Sequence, residues 1–370
     1  MTAVRAAMLP APGTPLRVVD LDLDPPGPGE VQVRLHASGV CSDDLNVIDG
    51  TVEVPCPVVP GHEGAGVVEA VGEGVEGLGE GDHVALSWAP YCGTCEQCLR
   101  DLPHLCGTAW PLMLTGGLLD GTTRLQFGGA TVHHYCFISS WAELAVVPAR
   151  SCVRIPQDVP FEVAALLGCA ITSGVCAVWR TAEVRPGERV AVFGLGGTGL
   201  SAVLGAIAAG AGEVVAVDAR PMRLERAREL GASHVVHATG SPEETAEAVR
   251  GAAGGGVDYA FETSARPANV RSAFLSTRDR GATVMLGIPR ADAEVVLPAL
   301  SIPRMERRIL GSIYGSARPD RDFPLILDAY RRGRLPLDRL ISHRLPLEMA
   351  GDAMDAVRSG EAARVVLELA

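Results

Sequence analysis

Apolar and polar residues form one pattern in the first part of the chain and a different one in its middle. In the first part, short apolar runs alternate with turns rich in glycine and proline, such as the segment 24–29. This pattern is typical of an antiparallel β domain. It predicts a short helix after Cys41 and strands at residues 16–23, 30–37, 66–71, 82–86 and 142–147.

In the middle of the chain, apolar runs of strand length alternate with helix-compatible segments. Because this alternation places helices between parallel strands, it predicts a doubly wound parallel sheet and hence an α/β fold. The tail differs, and its closing strand 364–369 should rejoin the N-terminal domain rather than extend the sheet. The predicted strands of the parallel sheet are 190–193, 213–217, 233–236, 257–262, 283–288 and 309–314.

Length and charge limit the classes of function. A chain of 370 residues predicts two domains, which we place at 1–170, with a return of the chain at 314–370, and at 171–313. The net charge of −12 argues against nucleic acid and anionic membranes as partners. The first residues lack the apolar core of a leader, and no stretch approaches the roughly 18 apolar residues of a membrane helix. We therefore expect a cytoplasmic protein.

The basic residues narrow the chemistry, because every one of the 32 lysine or arginine positions is arginine. The absence of lysine excludes a Schiff-base lysine, a phosphate-loop lysine and the tyrosine–lysine pair of short-chain dehydrogenases. In a reducing compartment, the clustered members of the ten cysteines are more typical of metal ligands than of disulfides. Any hydride chemistry therefore needs another electrophile, for which a metal ion is the obvious choice.

A glycine-rich turn follows the predicted strand 190–193 and precedes a helix-compatible segment. Gly194 permits the tight turn, Gly196 lets backbone N–H groups approach a pyrophosphate, and Gly199 lets the helix pack close to the strand. The helix N-terminus favours the phosphates electrostatically. This arrangement predicts a dinucleotide site.

The second strand of that unit ends in Asp218, which would accept hydrogen bonds from the adenosine ribose. A carboxylate there repels a 2′-phosphate, so the sequence favours NAD over NADP, although the nearby Arg220 and Arg223 leave NADP open. The residues assigned to the cofactor by this motif are Gly194, Gly196, Gly197, Thr198, Gly199, Asp218 and Arg223.

Four cysteines with short spacings form a second motif, Cys92-x2-Cys95-x2-Cys98-x7-Cys106, in a lobe at residues 90–107. Four thiolates enclose a tetrahedral ion and leave no position for substrate, so the motif predicts structural zinc. An iron–sulfur cluster and unrelated buried thiols are the alternatives. The acidic net charge and the single lobe disfavour a nucleic-acid zinc ribbon.

Taken in order, Cys41, the Gly-His62-Glu63-Gly-Ala-Gly segment, the four-cysteine lobe, Gly168-Cys169 and the dinucleotide turn resemble the zinc-dependent medium-chain alcohol dehydrogenases over the full length. The long segment 107–142 resembles the long-loop branch of that family. The resemblance implies a GroES-like catalytic domain, a Rossmann-type domain, and hydride transfer between NAD and an alcohol, aldehyde or ketone. It also implies two zinc ions per chain, one of them a Lewis acid.

The resemblance assigns roles residue by residue. Cys41, His62 and Cys169 correspond to the catalytic zinc ligands, which leave a fourth position for water or a substrate oxygen. Glu63 resembles a residue that approaches the metal during ligand exchange, and Asp44 resembles the carboxylate that orients the histidine. The same comparison places Arg364 at the pyrophosphate and Thr198 behind the nicotinamide.

The sequence departs from the family at its proton relay. The family usually has serine or threonine two residues after the first zinc cysteine, where this chain has Asp43, and Asn46 occupies a further relay position. Ser42 replaces a residue that is often a basic phosphate contact. Asp43 either accepts the substrate proton, binds a cationic group of the substrate, or is displaced from the pocket.

The long segment 107–142 is expected to form a wall of a pocket for a small-molecule substrate, the alternative being a surface Ω-loop. No basic residue lies between positions 107 and 123, which disfavours a pocket for a glutathione adduct. The residues assigned to the pocket are Val52, Trp88, Trp110 and Tyr135.

Three other functions stay open at this point. They are a thiol-adduct formaldehyde dehydrogenase, a reductase of activated C=C or C=N bonds, and a non-enzymatic NAD-binding protein. The resemblance further implies a homodimer, with a tetramer as the alternative, that pairs near residues 295–297 and 309–313.

Overall fold

The computed structural model of the chain describes residues 1–360 and 362–369, which fold into two compact units. The first unit contains Met1–Cys169, Arg318–Leu327 and the segment from Ile341 onward, and the second contains Ala170–Ala317 and Asp328–Leu340. The segment 328–340 thus packs with the second unit, although the sequence prediction had placed it in the return to the first. The reason is local, because Leu337 and Leu340 are fully buried in a 3-10 helix that packs on the second unit.

The strands of the described residues, in chain order, are β1 (Thr2–Met8), β2 (Arg17–Leu23), β3 (Glu30–Val40), β4 (Val58–Val59), β5 (Glu63–Val71), β6 (His83–Leu86), β7 (Leu125–Phe127), β8 (Ala130–His134), β9 (Leu144–Pro148), β10 (Cys152–Arg154), β11 (Arg189–Phe193), β12 (Glu213–Asp218), β13 (His234–His237), β14 (Val257–Glu262), β15 (Thr277–Met285), β16 (Arg308–Gly311), β17 (Ile341–Pro346) and β18 (Arg364–Glu368).

The α-helices are α1 (Ser42–Ile48), α2 (Glu96–Leu99), α3 (Phe161–Ala165), α4 (Ala170–Cys176), α5 (Gly197–Ala208), α6 (Pro221–Glu229), α7 (Pro242–Ala252), α8 (Pro267–Ser276), α9 (Ser301–Arg304), α10 (Pro319–Arg331) and α11 (Ala350–Ser359). Short 3-10 helices occur at Pro103–Leu105, Trp110–Leu112, Ala149–Ser151, Leu166–Gly168, Tyr314–Ser316, Leu337–Leu340 and Leu347–Met349, and a π-helical turn at Ala177–Thr181.

The first unit is built on two mainly antiparallel sheets. One has the strand order β10-β6-β5-β3-β18-β17, with β9 also paired to β3, and the other has the order β1-β2-β7-β8-β4. Strand β3 is central because it pairs antiparallel with β5, β9 and β18. As the sequence predicts, the closing strand β18 lies in this unit and not in the parallel sheet. Trp141, Phe137 and Leu35 are among the fully buried side chains of its core.

The second unit is a six-stranded parallel sheet with the order β13-β12-β11-β14-β15-β16. Its central strands β11 and β12 are buried on both faces, as their continuous apolar runs require. These six strands agree with the predicted set, although β15 begins at Thr277 and β16 ends at Gly311. The fold is therefore the predicted α/β combination of an antiparallel β domain and a Rossmann-type sheet.

The long segment 107–142 contains more regular structure than the sequence indicated. Strands β7 and β8 form a hairpin. In addition, β7 pairs with β2 and β8 pairs with β4. The two glycines at its tip, Gly128 and Gly129, both have positive φ, which a two-residue hairpin turn requires. The segment is thus anchored to a sheet rather than lying as a free surface loop.

Among the described residues, no single helix is both long and apolar enough to cross a membrane, and the one pair that meets that test together, Phe161–Gly168 with Ala170–Thr181, is interrupted by a sharp bend.

Candidate metal and cofactor sites

Three separate chain segments bring the predicted catalytic ligands together in the first unit. Cys41 caps the start of α1 directly after β3, His62 lies just before β5, and Cys169 follows the 3-10 helix at 166–168. All three are buried, with exposures of 7%, 3% and 8%. The ligand atoms of Cys41, His62, Glu63 and Cys169 lie within 4.8 Å of one another. The donor set is therefore compact enough to share one ion.

The donor set also fits zinc chemically. Two sulfurs and one imidazole nitrogen are a known zinc ligand set that leaves one tetrahedral position for a substrate oxygen. The Nε2 atom of His62 is buried and finds no hydrogen-bond partner among the described residues. A buried polar atom without a partner is costly unless it has a ligand. The Nε2 atom of His62 is thus available to bind an ion.

The carboxylate of Asp44 orients two of these ligands, Cys41 and His62. Its Oδ1 accepts hydrogen bonds from the His62 Nδ1 at 3.0 Å and the Gly61 backbone N–H at 3.2 Å, and its Oδ2 accepts from the Cys41 backbone N–H at 2.9 Å. The carboxylate is fully buried. One side chain therefore fixes both the tautomer of the imidazole and the backbone of a second ligand.

The charges at the site depend on one another. The pKa of Cys41 is lowered because the Cys169 thiol donates a hydrogen bond to it and because His62 and Arg364 lie nearby, whereas burial opposes the shift. The same hydrogen bond, together with burial, raises the pKa of Cys169. Burial disfavours protonation of His62, but the carboxylate of Asp44 outweighs it and raises the pKa of the imidazole. The hydrogen bond between the two sulfurs therefore favours the thiolate form of Cys41 over that of Cys169.

A buried ion pair borders the ligands. Glu63 and Arg364, exposed by 0% and 4%, contact each other although 301 positions separate them in the chain. Burial raises the pKa of Glu63 to about 7 against the opposing charge of Arg364. The pair has room because residue 39 is glycine, where a Cβ would come within 1.9 Å of the Glu63 carboxylate. Arg364, which the resemblance places at a pyrophosphate, thus has Glu63 as its partner here, and its contact with a cofactor stays a prediction.

Asp43 lies beside the ligands and is half-buried. Its Oδ2 is 4.0 Å from the Cys41 sulfur, and the charge of that sulfur, followed by burial, raises the pKa of Asp43 to about 7. Asn46 is half-buried one turn later on α1. The carboxyl group of Asp43 is therefore placed at the site rather than turned out to bulk solvent.

The four cysteines of the second motif converge as predicted from their spacing. Their ligand atoms lie within 4.8 Å of one another, and the measured sulfur pairs are 3.5 to 3.9 Å apart. Sulfurs at the corners of a zinc tetrahedron are separated by about 3.8 Å. Backbone N–H groups of Cys95 and Gly107 donate to sulfurs of the set, as expected for thiolates. The lobe fits a structural zinc ion.

In the second unit, the glycine-rich turn connects β11 to α5. Gly194 has φ 88°, and a Cβ on Gly199 would lie 1.8 Å from the Gly194 carbonyl oxygen, so helix and turn approach as closely as the motif requires. Gly196 caps α5 and faces open space, whereas Gly197 and Thr198 form the first turn of the helix. The space in front of the helix N-terminus is thus open to a phosphate.

Asp218 ends β12 next to this turn. Its carboxylate accepts hydrogen bonds from the backbone N–H groups of Leu195 at 2.8 Å and Arg220 at 2.9 Å, and Arg223 lies 3.7 Å away. These contacts fix the carboxylate at the carboxyl end of the strand, where a ribose binds in dinucleotide sites.

Two family profiles match the chain, the alcohol dehydrogenase GroES-like domain at residues 27–157 and the zinc-binding dehydrogenase at residues 197–331. The chain belongs to the zinc-dependent medium-chain alcohol dehydrogenase family. Accordingly, the protein is an oxidoreductase of the alcohol dehydrogenase type. The structure of an alcohol dehydrogenase zinc-binding domain protein from Burkholderia ambifaria is 36% identical, with a TM-score of 0.96, and the match covers 100% of this chain and 99% of that one.

Other solved members of the family are also similar over the whole length. The benzyl alcohol dehydrogenase from Acinetobacter calcoaceticus is 31% identical with a TM-score of 0.94, and the match covers all of both chains. An NAD-dependent alcohol dehydrogenase is 30% identical with a TM-score of 0.79, over 99% of this chain and 100% of that chain.

The residues assigned to the substrate pocket of this alcohol dehydrogenase fall into separate places. Trp88 and Trp110 meet edge to face at 5.8 Å and line a small apolar pocket with Phe137 and Met113. Tyr135 is buried against His62, with ring centroids 5.5 Å apart, and Val52 packs half-buried on the core. Of the four, Tyr135 contacts the side chain of a metal ligand.

Sequence reasoning missed one residue that organises the metal site. Trp141 donates from its indole Nε1 to the Gly39 carbonyl at 3.4 Å and from its backbone to the Pro60 carbonyl at 3.2 Å, so it links the segments before Cys41 and His62. A buried tryptophan needs a partner for its N–H, and this requirement was the available signal. Its partner could not be named from sequence, because Trp141 and Gly39 are 102 positions apart and meet only in the folded chain.

Proposed function

We propose that this alcohol dehydrogenase transfers hydride between NAD and an alcohol or aldehyde, with one catalytic and one structural zinc ion per chain. The observation that carries the proposal is the buried set of Cys41, His62 and Cys169, in which the Nε2 atom of the imidazole has no hydrogen-bond partner within residues 1–360 and 362–369. A zinc ion held there supplies Lewis-acid activation of the substrate oxygen, and NAD supplies the hydride acceptor.

The protein's own groups orient and exchange protons around that chemistry. Asp44 keeps His62 in the tautomer that presents Nε2 to the ion. Asp43, in place of the family's hydroxyl residue, takes the alcohol proton at its carboxylate or contacts the substrate directly. Asp218 accepts from the ribose of NAD, while the open N-terminus of α5 receives the pyrophosphate.

We infer that the substrate carries an aromatic or similarly broad apolar group. Trp88 and Trp110 border a cavity of about 10 Å³ with apolar walls, which would admit an aromatic ring only after these side chains move apart. The similarity to the benzyl alcohol dehydrogenase supports the same class. The absence of basic residues at 107–123 still disfavours the thiol-adduct alternative.

We further infer a homodimer in a reducing, cytoplasmic compartment. Strand β16 is the edge of the parallel sheet, and its Ile309 and the neighbouring Val296 and Leu300 are exposed by 43%, 77% and 70%. An unpaired strand edge with apolar neighbours is suited to pairing with a second copy. Both cysteine sites require reduced thiolates, which a reducing compartment provides. Sedimentation analysis tests the dimer, and a monomer at micromolar concentration would contradict it.

The function is tested by following NADH formation with benzyl alcohol, aliphatic alcohols and formaldehyde with added thiol, together with zinc analysis. We expect two zinc ions per chain and the highest kcat/KM with the aromatic alcohol. Cys169→Ser should lose one zinc ion and the activity, whereas Cys176→Ser, a matched change of a buried cysteine outside both metal sets, should keep both. One zinc ion in the wild type, confined to the lobe, or a product saturated at C=C or C=N, would overturn the proposal.

A further inference from the structure

Two buried carboxylates lie on β14, one near each end of the strand. Asp258, near the amino end, is 8% exposed and accepts from the Arg189 backbone N–H at 2.9 Å. Glu262, at the carboxyl end, is fully buried. No sequence motif singles out Glu262, and it is not among the metal ligands.

The Glu262 carboxylate folds the loop that follows it. Its Oε1 accepts from the Ser264 backbone N–H at 2.8 Å and from the Ser264 hydroxyl, and its Oε2 accepts from the Ala265 backbone N–H at 3.2 Å. The Ser264 hydroxyl in turn accepts from Asn269 of α8 at 2.8 Å. Ala265 has φ 60°, a left-handed conformation that a non-glycine residue adopts only when its surroundings enforce it. The carboxylate thus provides acceptors for the half-buried N–H groups of a turn that would otherwise be unfavourable.

This loop packs directly on the dinucleotide turn. The Thr263 hydroxyl donates to the Gly194 carbonyl at 2.7 Å. A Cβ on Gly194 would lie 3.0 Å from both the Thr263 hydroxyl oxygen and the Ser264 Cβ. The backbone of the first glycine of the motif therefore rests against the loop that Glu262 shapes.

We propose that Glu262 is a positioning residue for the dinucleotide: by folding residues 263–266 it holds the turn of Gly194 to Gly199 in the geometry that admits the pyrophosphate. The inference rests on the proposed use of NAD. In this proposal the buried Glu262 carboxylate supports the cofactor loop through hydrogen bonds, whereas Asp218 would bind the ribose of the cofactor itself.

A carboxylate suits this position because all the groups that face it are donors. Glutamine at 262 would keep one acceptor oxygen but turn an NH2 group toward the N–H of Ser264 or Ala265. One half-buried N–H group would then lose its acceptor. The loop of residues 263–266 would relax, and its contact with Gly194 would loosen.

The test compares Glu262→Gln with Asp258→Asn, a matched loss of charge on the same strand at the end away from the turn. The control also loses contacts to Arg278, so it is at least as disruptive locally. NADH binding is measured by fluorescence titration, with melting temperature and zinc content measured in parallel. We expect Glu262→Gln to raise the NADH Kd about tenfold, the factor for one lost hydrogen bond to a charged acceptor. Zinc content and the KM for alcohol should stay unchanged, and Asp258→Asn should bind NADH like the wild type.

Equal NADH affinities for wild type and Glu262→Gln would overturn the inference, as would equal losses in both variants, since these would indicate general destabilisation. Should Glu262→Gln fail to fold, Ser264→Ala removes the hydroxyl contacts with Glu262 and Asn269 but keeps the backbone N–H contacts, and it should raise the Kd two- to threefold by the same reasoning. An unchanged Kd in that variant would overturn the inference. A wild-type protein that binds no NADH would instead overturn the proposed function.

Discussion

The hydrogen bonds of Asp44 predict how strongly the substitution Asp44→Asn lowers the affinity of the catalytic site for zinc. Its two oxygens accept three hydrogen bonds, from the Cys41 N–H, the Gly61 N–H and the His62 Nδ1, at 2.9, 3.2 and 3.0 Å. Asp44→Asn keeps the shape but replaces one acceptor oxygen with an NH2 donor. Either orientation of the amide then leaves a donor facing a donor.

The two orientations damage the site in different ways. If the NH2 group faces Cys41, a buried backbone N–H beside a metal ligand loses its acceptor. If it faces His62, the imidazole accepts at Nδ1 and places its proton on Nε2, the nitrogen that the ion needs. A buried donor without an acceptor costs about 1–3 kcal/mol. This corresponds to a loss of about 10- to 100-fold in affinity for the catalytic zinc ion, the range typical of residues that orient metal ligands.

Competition with a chromophoric zinc chelator measures this loss, and the structural lobe provides a control within the same chain. In Asp44→Asn we expect one zinc ion to transfer at a 10- to 100-fold lower chelator concentration than in the wild type. The second ion, held by the four cysteines, should transfer unchanged. Two transfer steps identical to those of the wild type would refute the assigned role of Asp44, and an equal shift of both would indicate general unfolding.

Four further changes follow from the same structure. Cys98→Ser should lower the zinc content by one ion and reduce the melting temperature, since three thiolates hold zinc less well; an unchanged zinc count would contradict a structural site. Asp43→Thr, which restores the family's hydroxyl, should change the pH dependence of turnover or the substrate preference, and an unchanged profile and range would exclude a role for Asp43. Trp110→Ala should change the KM for benzyl alcohol about tenfold more than that for ethanol, because Trp110 borders the small apolar cavity that is proposed to open for an aromatic ring; equal effects on both would argue against that cavity as the substrate site. Asp218→Ala should weaken NAD about tenfold and reduce discrimination against NADP, as measured by the two KM values, since the ribose loses its acceptor; unchanged cofactor preference would contradict the assignment.

The features that could be predicted are those whose residues are close in sequence. The four-cysteine lobe and the turn from Gly194 to Gly199 each lie within one short segment, so spacing alone carries the geometry. The alternation of strands and helices predicted the parallel sheet for the same reason. Segment ends were less accurate, because strands such as β15 extend as far as their neighbour pairs with them.

The features that escaped prediction depend on contacts between distant segments. The hairpin of β7 and β8 also pairs with β2 and β4, strands that lie far from it in the sequence. Likewise, Arg364 reaches Glu63 only because β18 pairs with β3 beside Gly39. The resemblance to the family assigned one role to Glu63 and another to Arg364, but it did not predict the ion pair between these two side chains.

The ion pair and the ligands together determine which ion the catalytic site can hold. Glu63 and Arg364 carry opposite charges that balance each other, and the charge of Asp44 is stabilised by three hydrogen bonds, so an ion in the site would face chiefly the charges of Cys41 and Cys169. The hydrogen bond between the two thiols lowers the pKa of Cys41 and raises that of Cys169. A divalent cation held by both thiolates would balance their two charges, whereas a monovalent cation would leave one of them uncompensated, which is costly in a low dielectric. The buried charges thus select a divalent ion, and the sulfur and imidazole donors favour zinc over the hard divalent cations.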